Sequence, residues 1–360
     1  MTDQGTILKR YVRAEPVYRR DVIKPDGRNL SLYGYAPHKA SEIAGDALDQ
    51  LTGAHLRYHP LRGTWSIYAA ARNQRTFKPS QAENPLAPSQ TGKPLTEIPF
   101  SDFELCVFDN RFPSLSADAH EGEVTGLTTA PAKGACEVIV YTPDATGSLA
   151  DLNQAQRRLL VEAWIDRYEN LFAKGCAFVL PFENRGEAVG VTLSHPHGQI
   201  YGFPFIPDPQ ARALAAFEAG YDLAGKLTDW KNRYGVLEAG GLMAYAPPFA
   251  RFPYEVWISA FARHSGPWSY SETESDGFAY LLGEVTRRYD ALFGAETPYM
   301  LSLHAAPYGQ DGAFQFSAQF YPLLRGPGRV KYLASVEQAT GVFTVDVMPE
   351  AAAQALRGVK

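Results

Sequence analysis

Cysteine is scarce. The chain has three, Cys106, Cys136 and Cys176, far apart and in apolar, strand-like surroundings. An odd, scattered set argues against a disulfide framework and against a cysteine-built metal centre, so small buried hydrophobes are expected. Long hydrophobic runs are missing as well. No stretch approaches the roughly 20 apolar residues that cross a bilayer, and the opening M-T-D-Q-G-T-I-L-K-R lacks a signal peptide's apolar core. The expectation is a cytoplasmic protein with no membrane partner. Basic runs are absent too, and the net charge is −5, which argues against a nucleic-acid partner. What remains is an ordinary globular balance, 45% hydrophobic and 20% charged over 360 residues, enough for a large core and one or two domains.

Chemistry concentrates in residues 182–207, F-E-N-R-G-E-A-V-G-V-T-L-S-H-P-H-G-Q-I-Y-G-F-P-F-I-P. Residues 189–201 are small or apolar with a period near two, which predicts strand flanking a short turn. Alternation would put His195, His197 and Gln199 on one side of extended backbone. Pro196 holds its own φ and keeps His195 out of the helical region. Gly186, Gly190 and Gly198 let backbone N–H groups approach phosphate oxygens. Two buried histidines on a strand would be the plain alternative. A pair around proline, preceded by E-N-R-G and followed by Gly-Gln, favours a rigidly aimed histidine nucleophile instead.

The H-x-H-x-Q form is that of the histidine-triad superfamily, and the full string resembles the galactose-1-phosphate uridylyltransferase family. The resemblance covers residues 55–358. It implies His197 as nucleophile, with His195 and Gln199 beside it, and it implies substrate contacts at Asn184, Gly190 and Thr192. Residues 55–79 predict a hairpin turning at Arg62-Gly63, after which Arg72 and Arg75 match the family's R-x-x-R. Guanidinium forks suit phosphate. Residues 104–108 predict a strand, and the following Asn110, Arg111 and Phe112 match the segment that lines the family's nucleotide pocket. Phe108 and Phe112 would flank the base, and Asn110 would reach ribose or phosphate. In the C-terminal run R-V-K-Y-L-A-S-V-E-Q, Lys331 and Glu337 match residues that contact hexose or phosphate.

This chain departs from the family at its metal ligands. Where relatives carry C-P-x-C, residues 84–87 read Asn-Pro-Leu-Ala, and where they carry S-P-D-H, residues 142–145 read Thr-Pro-Asp-Ala. Only His195 matches a zinc ligand, and one imidazole does not hold a tetrahedral zinc. Pro85, Pro88 and Pro94 would stiffen the loop instead. Of the family's second metal set only His304 remains, because Ala213, Ser317 and Gln319 fill the other positions. The expectation is no metal and no cofactor, with His304 a hydrogen-bonded structural residue.

An internal repeat shapes the fold expectation. C-E-V-I-V at 136 is echoed by Y-E-V-W-I at 254, and R-Y-E-N-L-F at 167 by R-Y-D-A-L-F at 288. The second copy has Ser317 and Gln319 where the first has its histidines. Helices are expected near 41–51, over 151–172 capped by Asp151 with an apolar face including Leu160 and Trp164, over 207–234 and over 273–293. The fold class expected is α+β: two tandem histidine-triad-like domains, each an antiparallel sheet or half-barrel covered by helices. The expected boundaries are 1–54 (extension), 55–207 (catalytic domain) and 208–360 (degenerate domain).

The resemblance implies transfer of UMP from UDP-glucose to galactose 1-phosphate by a ping-pong mechanism through uridylyl-His197. The partners would be UDP-glucose or UDP-galactose, hexose 1-phosphates, and a second copy of the chain. Gln199 sharpens this reading. Superfamily hydrolases have histidine there and can protonate a poor leaving group, assistance worth ~10²–10⁴-fold. Glutamine cannot, which suits a sugar-phosphate leaving group. A nucleotidyltransferase or phosphorylase using ADP- or GDP-sugars or dinucleoside polyphosphates, and a degenerate nucleotide-binding protein, are the alternatives.

Overall fold

A computed structural model describes residues 6–12, 15–46, 53–74, 83–122 and 124–359. The chain divides into two compact units that interleave in sequence. The first holds residues 1–146, 162–181 and 195–212, and the second holds 147–161, 182–194 and 213–360. Helices and antiparallel sheet mix in both, as the α+β expectation requires.

The first unit is built on β1 (Thr6–Val12), β2 (Glu15–Ile23), β3 (Asn29–Gly34), β4 (His55–His59), β5 (Thr64–Tyr68), β6 (Leu105–Asp109), β7 (Thr129–Pro131), β8 (Ala135–Val140), the first half of β9 (Phe178–Arg185), and β10 (His197–Phe203). Its main sheet runs β1-β2-β3-β6-β8-β10-β9, and β5-β4-β7 form a separate small sheet. The β4–β5 hairpin turns through Gly63, whose φ of 68° a side chain would resist. On β10 the period-two pattern is clean. Gly198, Ile200 and Gly202 are buried, while His197, Gln199 and Tyr201 are half-buried on the opposite face.

Helix α1 (Gln154–Ala173) contributes residues to both units. Leu159, Leu160, Ala163, Trp164 and Leu171 are buried, as its apolar face predicts. Arg158, Glu162, Asp166 and Arg167 are buried too, so the helix is enclosed beyond one stripe. Asp166 and Arg167, in the first unit, have polar partners there. Asp166 accepts from Arg19 Nη1 at 2.7 Å and from the Tyr33 hydroxyl at 2.6 Å. Arg167 lies 3.3 Å from the Glu137 carboxylate and donates to the Tyr33 hydroxyl at 3.3 Å. Burial raises the Glu137 pKa, and Arg167 opposes that rise.

The second unit holds the second half of β9 with β11 (Gly235–Ala239), β12 (Leu242–Tyr245), β13 (Val256–Ala260), β14 (Tyr299–His304) and β15 (Ser317–Pro322), in the order β9-β14-β15-β13-β12-β11. The hairpin β16 (Leu324–Gly326) and β17 (Arg329–Val330) stands apart from that sheet. Helix α2 (Asp208–Glu218) contributes residues to both units, and the second unit holds α3 (Leu223–Tyr234), α4 (Glu272–Phe293), α5 (Ser335–Thr340) and α6 (Pro349–Gly358). The repeat read from sequence is present in the topology. β8-α1-β9-β10 and β13-α4-β14-β15 follow the same chain order, and both place the last strand between the first two in the sheet.

Four local expectations are corrected. The helix expected over 207–234 is two helices, because Gly220 takes φ 94° and breaks it. The break leaves Tyr221 exposed while Leu227 stays buried. The cap of α1 is Asn153, not Asp151: Asn153 Oδ1 accepts from Gln156 N, and the Asn153 N–H donates to Gln156 Oε1. Asp151 accepts from the Ser148 hydroxyl instead. Residues 41–46 are not helical, and the remainder of that expected helix lies outside the described residues. Strand begins only at His197. Residues 187–189 form a 3₁₀ turn, and residues 190–196 have no regular structure, because Pro196 supplies no N–H to a ladder.

All three cysteines are free and buried, and burial raises their thiol pKa values, to about 11 for Cys136. No described helix is long and apolar enough to cross a membrane.

Arg167→Met strands the Glu137 carboxylate without its partner. Losing one member of a buried pair costs about 3–5 kcal/mol. The expected result is a lower urea midpoint for the variant, largely restored in Arg167→Met/Glu137→Gln. Equal midpoints for the single variant and the parent would refute the pairing.

Candidate active site

Two imidazoles with different partners form the centre of the first unit. His195 is 2% exposed. Asn84 Nδ2 donates to its Nδ1 at 2.9 Å, and its Nε2 donates to the Thr142 carbonyl at 2.7 Å. The ring proton therefore sits on Nε2. Pro196, between the histidines, accepts from the Tyr141 N–H at 3.1 Å and fastens the segment beside β8. His197 is half-buried, and its Nδ1 donates to the carbonyl of His195 at 2.7 Å. That bond leaves the lone pair on Nε2, for which no partner is found among the described residues. Burial lowers both histidine pKa values. For His197 the nearby His195 acts in the same direction, and the carbonyl bond opposes it. A neutral His197 held in this way would offer its Nε2 lone pair to an electrophile.

Along the same face of β10, Gln199 presents a side-chain Oε1 with no partner among the described residues. Two residues on, the Tyr201 hydroxyl accepts from Arg72 Nη1 at 3.3 Å and lies 3.3 Å from the Ser114 hydroxyl. Arg72 also donates to the Phe112 carbonyl at 3.1 Å. The structure therefore ties Arg72 and Phe112 to the strand that carries His197. Arg75 lies outside the described residues. Asn110 is buried, and its Oδ1 accepts from the Phe112 N–H at 2.9 Å, which shapes the turn after β6. Arg111 stacks over the half-buried Phe112 ring at 5.4 Å. Phe108 is a core residue, 3% exposed, with the Lys24 ammonium 5.2 Å from its ring centre.

The other expected site residues fall in the second unit. Asn184 is half-buried on β9, opposite Met300. Gly186 takes φ 90°, and a Cβ there would meet Pro298 at 2.9 Å. Gly190 takes φ 78° beside open space, and Thr192 follows in the irregular segment. Lys331 and Glu337 form an ion pair of 2.6 Å. Glu337 also accepts the backbone N–H groups of Ala334 and Thr344, at 2.8 and 3.0 Å, and so caps α5. The Lys331 ammonium and these N–H groups hold its carboxyl down to about 2.

Ser317, Gln319 and Tyr321 run along one face of β15 as His197, Gln199 and Tyr201 run along β10. Matching by face pairs Ser317 with His197, and Gln319 with Gln199, not with the two histidines. Gln319 Nε2 donates to the Ser317 hydroxyl at 2.9 Å, and the Tyr321 hydroxyl donates to Gln319 Oε1. His304 bonds the Ser302 hydroxyl at 3.0 Å, and burial pushes its pKa down to about 4. It is hydrogen-bonded, as expected.

The donor chemistry does not fit the family's metals. At the first position the partners of His195 are an amide N–H and a backbone carbonyl, which engage both ring nitrogens. At the second, Ser317 lies opposite His304 in the strand pairing, and Gln319 bonds to Ser317. Among the described residues no three His, Cys, Asp or Glu side chains cluster to hold an ion.

The architecture is that of uridylyltransferases. A solved uridylyltransferase structure superposes with a TM-score of 0.75, covering 84% of this chain and 97% of its own at 23% identity, a likeness of fold. Residues 44–207 match the family described as galactose-1-phosphate uridyl transferase, N-terminal domain. The galactose-1-phosphate uridylyltransferase of Thermotoga maritima is 37% identical over 318 residues, covering 84% of this chain and 97% of the relative. That of Streptomyces lividans is 33% identical over 359 residues, covering 93% and 96%. The chain belongs to the galactose-1-phosphate uridylyltransferase family.

Because the folded pKa of Glu337 lies below its unfolded value, its contribution to stability is full above about pH 4.3. It is lost as pH falls through about 2. Glu337→Gln should therefore unfold at lower urea than the parent at pH 7, with the gap closing between about pH 4 and pH 2. A gap independent of pH would refute this.

Proposed function

We propose that this enzyme moves UMP from UDP-glucose to galactose 1-phosphate in two half-reactions, through a covalent uridylyl-His197. The observation that carries the reading is the bond from His197 Nδ1 to the His195 carbonyl, which leaves the Nε2 lone pair available. Nε2 attacks the α-phosphorus of UDP-glucose. An N–P bond forms, the bond from that phosphorus to the bridging oxygen breaks, and glucose 1-phosphate leaves with the electron pair. The proton stays on Nδ1, so the attack requires no base. Galactose 1-phosphate then attacks the same phosphorus through a phosphate oxygen, and the electron pair returns to Nε2.

Gln199 fits this chemistry because a sugar phosphate leaves without a proton. Its amide would hold a phosphoryl oxygen. The family resemblance assigns phosphate contacts to Arg72 and Arg75 in the first unit, and to Lys331, Gly190 and Thr192 it assigns contacts with substrate. Phe112 would flank the uracil, while Asn110 and Arg111 would reach the ribose or phosphate. Asn184 and Glu337 would take contacts to the donor and the hexose. No metal enters either step. The family resemblance also suggests a homodimer, which sedimentation measures.

The test is to incubate the protein with UDP-glucose, ADP-glucose or GDP-glucose carrying labelled α-phosphorus. Acid-labile, base-stable protein label from UDP-glucose alone is expected, absent in His197→Gly. Label from another donor alone moves the enzyme to a different base. Nucleotide binding without any label would make it a binding protein, and full activity in His197→Gly would remove the nucleophile.

A further inference from the structure

We propose that Asn84 is a positioning residue for His197, acting through His195 in the place where a metal would otherwise grip that ring. The inference rests on the reading of His197 as nucleophile. Its structural half stands on three bonds in series. Asn84 Nδ2 donates to His195 Nδ1 at 2.9 Å, His195 Nε2 donates to the Thr142 carbonyl at 2.7 Å, and the His195 carbonyl accepts from His197 Nδ1 at 2.7 Å. The first two bonds fix the plane and tautomer of a ring that is 2% exposed. With the ring fixed, the backbone of residue 195 has little freedom left, because Pro196 stiffens the next position and its carbonyl is bonded to the Tyr141 N–H. The carbonyl that orients His197 is thereby immobilised.

Asn84 is itself held. Its Oδ1 accepts from the Leu86 N–H at 3.0 Å, so the amide group faces His195 with Nδ2. The loop behind it is anchored where Glu97 N donates to the Pro85 carbonyl at 2.8 Å, and Glu97 forms 2.7 Å ion pairs with Lys24 and Arg28. Leu86, Ile98 and Phe100 are buried beneath it. Asparagine suits the position for a chemical reason. One end of its amide accepts and the other donates, so it satisfies a backbone N–H and an unprotonated ring nitrogen together, with no net charge. Alanine satisfies neither. Aspartate keeps the bond to Leu86 but offers an acceptor to an acceptor.

The test compares full-length parent, Asn84→Ala and Asn84→Asp by three measurements. These are the ¹⁵N chemical shifts of the His195 and His197 rings, the single-turnover rate of labelling by UDP-glucose, and the dissociation constant for UDP-glucose. In the parent, His195 should be protonated at Nε2 and His197 at Nδ1. In both variants the His197 ring should become a mixture of tautomers. Labelling should slow on the order of tenfold to a hundredfold, the scale of an unsatisfied buried acceptor, with the UDP-glucose dissociation constant within about twofold of the parent. Asn84→Asp keeps the turn at Leu86 and so separates loss of the donor from loss of the loop. Unchanged ring tautomers and labelling rate in both variants would overturn the proposal. Weaker UDP-glucose binding with an unchanged labelling rate would also overturn it, by making Asn84 a substrate contact. If the parent takes no label from UDP-glucose, the functional reading fails, while the ring tautomers still decide whether Asn84 positions His197.

Discussion

The hydrogen bond from His197 Nδ1 to the carbonyl of His195 is the constraint on which the site depends. A neutral imidazole has one proton and one lone pair, and whichever nitrogen donates leaves the other to react. Every nearby feature serves that single bond. Pro196 restricts the backbone between the rings, β10 starts at His197, and the ladder to β8 pairs His197 with Val140. Burial lowers the pKa of both imidazoles. The result is an imidazole aimed by covalent geometry and backbone pairing, with its lone pair on Nε2.

The two units use one topology for different ends. In the first, the exposed face of β10 carries groups left partly unsatisfied: the Nε2 of His197 and the Oε1 of Gln199 have no partner among the described residues. In the second, the equivalent face of β15 is closed on itself, with Gln319 bonded to both Ser317 and Tyr321. Unsatisfied polar groups are costly when buried and are kept where a ligand completes them. A satisfied row of hydroxyl and amide groups stabilises its own strand and leaves nothing to react. The difference between the copies is therefore one of hydrogen-bond saturation, not of backbone plan.

Much of the site was legible because its signals are local. The histidine pair, Pro196 and Gln199 lie within five residues of chain, and the repeat shows in two short echoes. Helix α4 was legible for the same reason: Ser271 and Glu274 form a capping box and Gly294 ends the helix at φ 67°. The failures were competitions between local signals. Gly220 broke a hydrophobic stripe that reads as continuous, and Asn153 displaced Asp151 as a cap. On α1 only the apolar face was legible, and Arg167 and Asp166 are buried as well because their partners, Glu137, Tyr33 and Arg19, arrive from strands far away in the chain.

The amino-acid sequence alone determined the family, the two-copy plan and the place of the histidine pair, since motif and periodicity are properties of neighbouring residues. The tertiary structure decided what holds that imidazole. Asn84 and Thr142 reach His195 across 111 and 53 residues of chain. In sequence Asn84 stands where relatives have a cysteine, and Thr142 only opens the segment that has lost its histidine. Which atom donates to which ring nitrogen depends on distances of a few tenths of an ångström, and those are set by the packed loop and sheet and by no local pattern.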